Sequence, residues 1–332
     1  MQQEIQKFWD LLKQSQKILL INHIRMDGDA WGSLCGLALI LRHMWKQVAW
    51  INDTHVPESL NFLGNSDIIN PELDVADFNP DIIISLDAGD IGRLWESYVK
   101  WKHIFDEKPF IMIDHHISNP LFGDINILDI GAGSVCEMLV DISERLGLTS
   151  HITPEAATCL YTGLQTDSNM YFNTNTTPKT LRAGAKLIEL GANFRLPIIE
   201  CFKKKNYIQM KLWERALKNM KQDFNSQLTY THISENDLQE VWISLKDTSE
   251  YMKGFINEVL INIEWTKIAF LLYPLSSEEQ KASLRSQETY DVNAICQKFW
   301  GWGHLQASGF QKIDSQENTI QELLQEIKKV LN

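Results

Sequence analysis

Four short runs of mostly β-branched apolar residues constrain this chain more than any other feature. They lie at 17–22, 48–51, 81–86 and 110–113, and helix-length stretches separate them. A strand buried on both faces reads as a continuous apolar run, and parallel neighbours need a crossover long enough for a helix. The pattern predicts βαβ units, hence a mostly parallel sheet flanked by helices. Helices are expected at 31–43, 133–146, 154–165 and 178–190. Pro154 after Thr153 marks a helix start and Gly191 a helix stop.

The pattern changes after residue 190. Residues 191–225 read as helical and mixed in charge, with Lys203, Lys204 and Lys205 in a row, and are expected to form a linker. Strands are then expected at 227–233, 241–245, 267–273 and 281–285, with helices at 292–299 and 319–331. The expected organisation is a first α/β domain over 1–190, a helical linker over 191–225, and a smaller α/β domain with a mixed sheet over 226–332. A length of 332 residues suits two domains, each with its own core.

Charge narrows the function. The net charge is −12, with 31 Lys+Arg against 43 Asp+Glu. Residues 1–180 hold 12 basic and 24 acidic side chains, so the whole acidic excess lies there. Such a chain lacks the basic footprint that binds duplex DNA. The five cysteines, at 35, 136, 159, 201 and 296, include no Cys-x-x-Cys pair, which argues against a disulfide framework or a zinc ribbon. No apolar run reaches the ~18–20 residues of a membrane span, and residues 1–14 lack the apolar core of a signal peptide. A soluble, cytoplasmic protein is expected, without membrane partners.

The acids are placed with a pattern. The first run ends at His23, followed by Asp27 and Asp29; the third ends at Asp87, then Asp90; the fourth ends at Asp114, His115 and His116. Asp167 falls at the end of the helix that begins at Pro154. In an open α/β sheet ligands sit outside the carboxyl ends of the strands, so these segments deliver carboxylates and imidazoles to one edge. Five aspartates there would bring about five negative charges into one crevice, and two divalent cations would largely cancel them. A single Asp after a strand is ordinarily a turn or cap residue, and Asp29 alone could be only that. His43, His55, His103 and His151 stand apart from the clusters and read as packing or surface residues.

These residues resemble the motifs of the DHH phosphoesterases. His23 to Ser33 (HIRMDGDAWGS) is similar to the first motif, Leu86 to Asp90 (LDAGD) to the second, and Asp114-His115-His116 is the triplet that names the family. Tyr161 to Ser168 (YTGLQTDS) is similar to the fourth. Leu284-Arg285-Ser286, Asp291-Val292 and Gly303 to Gly309 (GHLQASG) resemble the DHH-associated C-terminal domain. The motifs run in the family's order from residue 18 to 310.

The resemblance implies roles. His23, Asp27 and Asp87 would hold one Mn²⁺, and Asp29, Asp87, His115 and Asp167 a second, with Asp87 shared; Mg²⁺ or Co²⁺ could substitute. His116 would face the scissile phosphate, with Asp114 fixing a histidine tautomer. Arg285, Gly303, His304, Ser308 and Gly309 would bind substrate, in a cleft between the domains. Asp90 and Arg93 would support the site or pair with each other. The family carries a run of glycines before the histidine, whereas this chain reads Phe299-Trp300-Gly301-Trp302-Gly303-His304. The tryptophans would either stack on a base or fill a gap and narrow the cleft. Met26 stands where the family commonly has proline.

The branch most similar to this chain degrades nano-RNA and removes a phosphate from 3′-phosphoadenosine 5′-phosphate. The expected activity is therefore manganese-dependent hydrolysis of short oligoribonucleotides or of that nucleotide bisphosphate. Hydrolysis of cyclic or linear dinucleotides, of pyrophosphate or of polyphosphate are the alternatives; a non-catalytic nucleotide sensor fits the complete ligand set poorly. A homodimer is compatible with the sequence.

Overall fold

The computed structural model describes residues 1–64, 73–223, 225, 227–287 and 290–331; the side chains of Trp95 and His304 lie outside the described set. The chain divides into two compact units, Met1–Lys204 and Lys205–Asn332. Among the described residues no helix is long and apolar enough to cross a membrane.

In the first unit, α1 (Gln2–Gln14) precedes β1 (Lys17–Asn22), α2 (Gly28–His43) and β2 (Gln47–Ile51). The short helices α3 (Val75–Phe78), α4 (Trp95–Lys100) and α5 (Lys102–Glu107) flank β3 (Ile82–Leu86) and lead to β4 (Phe110–Asp114) and β5 (Ile125–Leu128). All pairings are parallel, in the order β2-β1-β3-β4-β5. Alternate residues feed opposite cores: Ile18 and Leu20 pack with α2, and Leu19 and Ile21 pack with the short helices. The chain steps from β1 out to β2 and returns to β3 on the other side. The loops after β1 and β3 thus part at the point where a doubly wound sheet opens a crevice. The layer over that sheet contains α6 (Val135–Arg145), α7 (Pro154–Asp167) and α8 (Pro178–Glu189), with a last turn, α9 (Arg195–Pro197).

α2 and α7 lie unusually close because their facing positions are small. A Cβ on Gly32 would stand 2.6 Å from the Cys159 carbonyl oxygen, and one on Gly163 would stand 2.8 Å from Asp29 Oδ1. Gly28 and Gly36, one turn either side of Gly32, face Thr166 and Leu160 in the same way. This seam brings the start of α2, with Asp27 and Asp29, to the end of α7, with Asp167.

The second unit begins with α10 (Tyr207–Lys218), and its described residues form six strands: β6 (Lys221–Asp223), β7 (Leu228–His232), β8 (Ile268–Pro274), β9 (Glu279–Ser286), β10 (Trp302–His304) and β11 (Ala307–Ile313). Their order is β10-β11-β9-β8-β7-β6, antiparallel except for β7 with β8, so the sheet is mixed. α10, α11 (Glu235–Glu240), α12 (Thr248–Tyr251) and α13 (Phe255–Glu258) contribute to the core on one face, and α14 (Val292–Gln297) and α15 (Gln316–Leu331) cover the other.

The segment expected as a linker is divided instead. Its first part closes the first unit, while α10 buries Leu212 and Trp213 in the core of the second, and β6 joins the second sheet. The strand expected at 241–245 is absent. Val241 and Ile243 are buried and Trp242 is 93% exposed, which imitates strand alternation. The segment is really a helix exit: Trp242 takes φ +62°, and Ile243 N–H donates to Leu238 O at 3.0 Å.

Candidate metal centre

The carboxyl ends of β1, β3 and β4 put their side chains around one carboxylate. Asp87 follows β3 with φ +57°, is 2% exposed, and turns its two oxygens to different neighbours. Oδ2 lies 3.5 Å from His23 Nε2, while Oδ1 lies 3.6 Å from His115 Nε2. Asp27 Oδ1 is 4.0 Å from the same His23 nitrogen, and Asp167 Oδ2 is 3.6 Å from the same His115 nitrogen. Asp29 completes a compact group with His115 and Asp167, as Asp27 does with His23 and Asp87. Asp87 therefore stands between two donor clusters.

Each ligand atom is aimed by its surroundings. His23 Nδ1 lies 2.7 Å from its neighbour's carbonyl, Ile24 O, which places the proton on Nδ1 and turns the Nε2 lone pair toward the aspartates. Arg93 also approaches Nδ1, at 3.2 Å, but two donors cannot bond each other, and the shorter carbonyl contact decides the tautomer. His115 Nδ1 is fixed likewise by Ala132 O at 3.2 Å. Asp27 is the N-cap of α2: its Oδ1 accepts from Asp29 N and Ala30 N, both at 3.0 Å. Asp29, fully buried, accepts from Val135 N at 2.6 Å and Cys136 N at 3.0 Å, the first amides of α6.

His116 is held differently. Its Nδ1 is 2.8 Å from Asp114 Oδ1 and 3.6 Å from Asp87 Oδ1. The proton on Nδ1 is thus committed to Asp114, which removes that nitrogen as a metal ligand and leaves Nε2 for other work. The other Asp114 oxygen accepts from Asn119 Nδ2 at 2.6 Å, and Asn119 also donates to Ala88 O at 3.0 Å. Asn119 is a participant that the sequence reading missed; a lone Asn before a proline reads as a turn. Asp90 accepts from Gly92 N at 2.7 Å within its own turn.

The titration behaviour of the cluster reflects packed negative charge. Burial disfavours the Asp87 carboxylate, but His115 and His23 outweigh it and hold its pKa down, at about 2. Asp29 goes the other way: burial first, then repulsion from Asp87, lifts it to about 7. Burial and then Asp29 lift Asp167 to about 8. Burial disfavours the His115 imidazolium, yet Asp87, Asp29 and Asp167 raise its pKa to about 10. The group therefore collects protons where it lacks other positive charge.

The donors fit divalent ions. Asp87 Oδ1 is buried without a hydrogen-bond partner, which is costly unless a cation satisfies it. The 3.5–4.0 Å separations are too long for hydrogen bonds. Two ligands each about 2.1 Å from one ion lie no more than about 4.2 Å apart, so a shared cation accommodates them. Imidazole and carboxylate donors without thiolate suit hard and borderline divalent ions.

A family model described as DHH family, N-terminal domain matches residues 17–164, the segment that supplies His23, Asp27, Asp29, Asp87 and the Asp114-His115-His116 triplet. That match covers most of the first unit. Over 312 residues the chain is 27% identical to the bifunctional oligoribonuclease and PAP phosphatase NrnA of Thermus thermophilus, covering 91% of this chain and 89% of that protein. It is 28% identical to the protein of the same description from Bacillus subtilis, covering 88% of each. The crystal structure of an exopolyphosphatase-related protein from Bacteroides fragilis superposes with a TM-score of 0.87 at 24% identity, covering 100% of this chain and 97% of that one. The likeness to that structure is one of fold, and it extends beyond the DHH domain to the second unit.

In the second unit, the expected substrate residues gather along one edge of the sheet. Arg285 on β9 is in register with Ala307 on β11, which pairs with His304 on β10. Arg285 Nε donates to Asn257 Oδ1 at 2.7 Å and Nη1 to Leu284 O at 2.8 Å. Among the described residues it has no carboxylate partner, and burial lowers its pKa. Ser308 Oγ donates to Asn293 Oδ1 at 3.1 Å. Gly303, at φ +157°, has no room for a Cβ against Ala307 O at 2.5 Å, and Gly309 has none against Ala282 O at 2.7 Å.

Proposed function

We propose that this chain is a divalent-metal-dependent phosphate-ester hydrolase that cleaves short oligoribonucleotides and dephosphorylates 3′-phosphoadenosine 5′-phosphate. The observation that carries the reading is Asp87, buried, with each oxygen turned to a separate His/Asp cluster. The DHH domain and the names of relatives that span about nine-tenths of the chain support the substrate class. His23, Asp27 and Asp87 would hold one Mn²⁺, and Asp29, Asp87, His115 and Asp167 a second. When bound, such ions supply Lewis acidity and lower the pKa of a coordinated water.

The protein's own groups do the rest. Asp114 holds His116 by Nδ1 and raises its pKa, which favours the imidazolium form whose Nε2–H would donate to a phosphoryl or leaving oxygen. Val135 and Cys136 amides keep Asp29 from swinging out of its cluster. Arg285 and the backbone around Gly303 and Gly309 would bind a substrate phosphate, a planar cation meeting a multidentate anion. No cysteine or serine nucleophile is required.

The test is a panel of 3′-phosphoadenosine 5′-phosphate, an RNA dinucleotide and pentanucleotide, cyclic dinucleotides and pyrophosphate, with Mn²⁺ or with chelator. The first three should be hydrolysed only with metal. Turnover confined to pyrophosphate or cyclic dinucleotides would replace the substrate assignment, and turnover unaffected by chelation would end the metal assignment.

A further inference from the structure

The loop before His304 is built to keep two indoles in solvent. Phe299 stacks on Phe310, with centroids 4.5 Å apart and planes 14° apart, and anchors the loop to the core. Trp300 follows with φ +60° and is 93% exposed, while Trp302 opens β10 and is 72% exposed. Between them Gly301 is pressed against the sheet: a Cβ there would meet Gly309 O at 2.4 Å. The loop is therefore fixed while its two largest side chains project outward. They fill no gap in the core of the second unit.

Where they project is set by strand register. Trp302 pairs with Gly309, which pairs with Ser283; one step on in the same rows, Ala307 pairs with Arg285. Directly paired residues share a face, and so do positions two apart. Trp302, Gly309, Ser283, Ala307 and Arg285 consequently lie on one face. Its floor is made of small residues, with Trp302 on β10 and Arg285 on β9, two strands across (about 10 Å) and two residues along (about 7 Å). α12 and α13 cover this face as far as β9, where Lys281 reaches Ser249 and Arg285 reaches Asn257. Beyond β9 it is open, as the exposure of Gln311 and Ile313 shows. An open groove of about 620 Å³ adjoins it; Trp300, Trp302, Lys298 and Lys312 line it together with the carboxylates Glu279 and Glu322.

We propose that Trp302, with Trp300 beside it, is a stacking platform for a nucleobase of the substrate, next to a phosphate held at Arg285. The proposal rests on the reading of this chain as acting on short oligoribonucleotides. An aromatic face beside a cation over a floor of small residues is the combination that single-stranded nucleic acid requires, and stacking tolerates any base. Lys298 and Lys312 are paired with Glu326 and Glu322, so the groove adds apolar surface without a net cationic field for duplex binding.

The test compares wild type with Trp302→Ala, Trp302→Phe and Trp300→Ala, on an RNA trinucleotide and on the same molecule made abasic at one position at a time. Trp302→Ala should raise KM for the intact trinucleotide about 5- to 100-fold with little change in kcat, and Trp302→Phe should restore most of it. One abasic position should erase the difference between wild type and Trp302→Ala. A KM unchanged by Trp302→Ala, or raised equally on every abasic form, would overturn the platform. A change in sedimentation behaviour with KM untouched would also overturn it, by making the tryptophans a contact between copies. Equilibrium binding of the trinucleotide in chelator separates this proposal from the activity. Should the wild type prove inactive on RNA, loss of binding in Trp302→Ala would sustain the platform and equal binding would end it.

Discussion

At the scale of single residues, the site turns on how Asp87 and Asp114 are used. Asp87→Ala removes an oxygen from both donor clusters, so both bound metal and turnover should fall below those of any other single variant, measured by metal analysis and kcat/KM. Asn119→Ala touches no donor directly. It releases Asp114 and with it the orientation of His116, and should cost about 10- to 100-fold in kcat with metal content retained. Metal loss in Asn119→Ala would show that Asn119 holds the β3–β4 edge rather than the histidine. The acids and histidines were legible because they recur at strand ends, and Asp27 and Asp29 because they follow the first apolar run just after His23. Which of that pair caps α2 was not legible. Asp29 looked like the cap, yet Asp27 accepts the amides and Asp29 is buried under α6, a partner 106 residues away in sequence.

At the scale of elements, the α2–α7 seam fixes the distance between carboxylates that the sequence brings from opposite ends of the domain. Gly32→Ala would press a Cβ against the Cys159 carbonyl and should destabilise the first unit by about 1–3 kcal/mol, read as a lowered Tm. Gly163→Ala also meets Cys136 Sγ and Asp29 Oδ1, so it should lose metal affinity as well as stability; unchanged affinity would mean that Asp29 is not a ligand. The central strands were legible from composition, since burial on both faces leaves only apolar residues. β5 was not, because Asn126 interrupts its run to bond Gly123, and it sits at the sheet edge where one side needs no apolar cover. The misread segment at 241–245 has the burial period of a strand but the hydrogen bonds of a helix end, and periodicity alone does not distinguish them.

At the scale of the whole molecule, the proposed chemistry and the proposed recognition fall on separate compact units. Arg285→Ala should leave bound metal at its normal level while removing a charge-assisted contact worth about 1.5–3 kcal/mol, or about 10- to 150-fold in kcat/KM. The loss should appear mainly in KM and should be smaller for pyrophosphate, which lacks a remote phosphate. Metal released by Arg285→Ala would place that residue in the catalytic centre or the fold. Chelation should abolish turnover, and readdition of Mn²⁺ should restore it without refolding, because each unit has a core of its own. The units part at 204–205, inside the segment expected as a linker, and that division was not legible, since α10 differs from a solvent helix only in burying Leu212, Trp213 and Ala216.

The glycine seam also makes the site a gauge of ionic radius. Drawing these helices apart for a larger guest would open voids along a close-packed seam, so Asp29 and Asp167 favour a span of one size. Mg²⁺ coordinates at about 2.0–2.1 Å and Ca²⁺ at about 2.3–2.6 Å. Ca²⁺ should therefore compete weakly in the wild type. Gly36→Ala, which wedges the far end of the seam against the flexible Leu160 side chain, should shift the balance toward the larger ion. Inhibition by Ca²⁺ at fixed Mg²⁺, compared between the two proteins, measures the shift; identical inhibition would mean that the ligands, rather than the helices behind them, choose the metal.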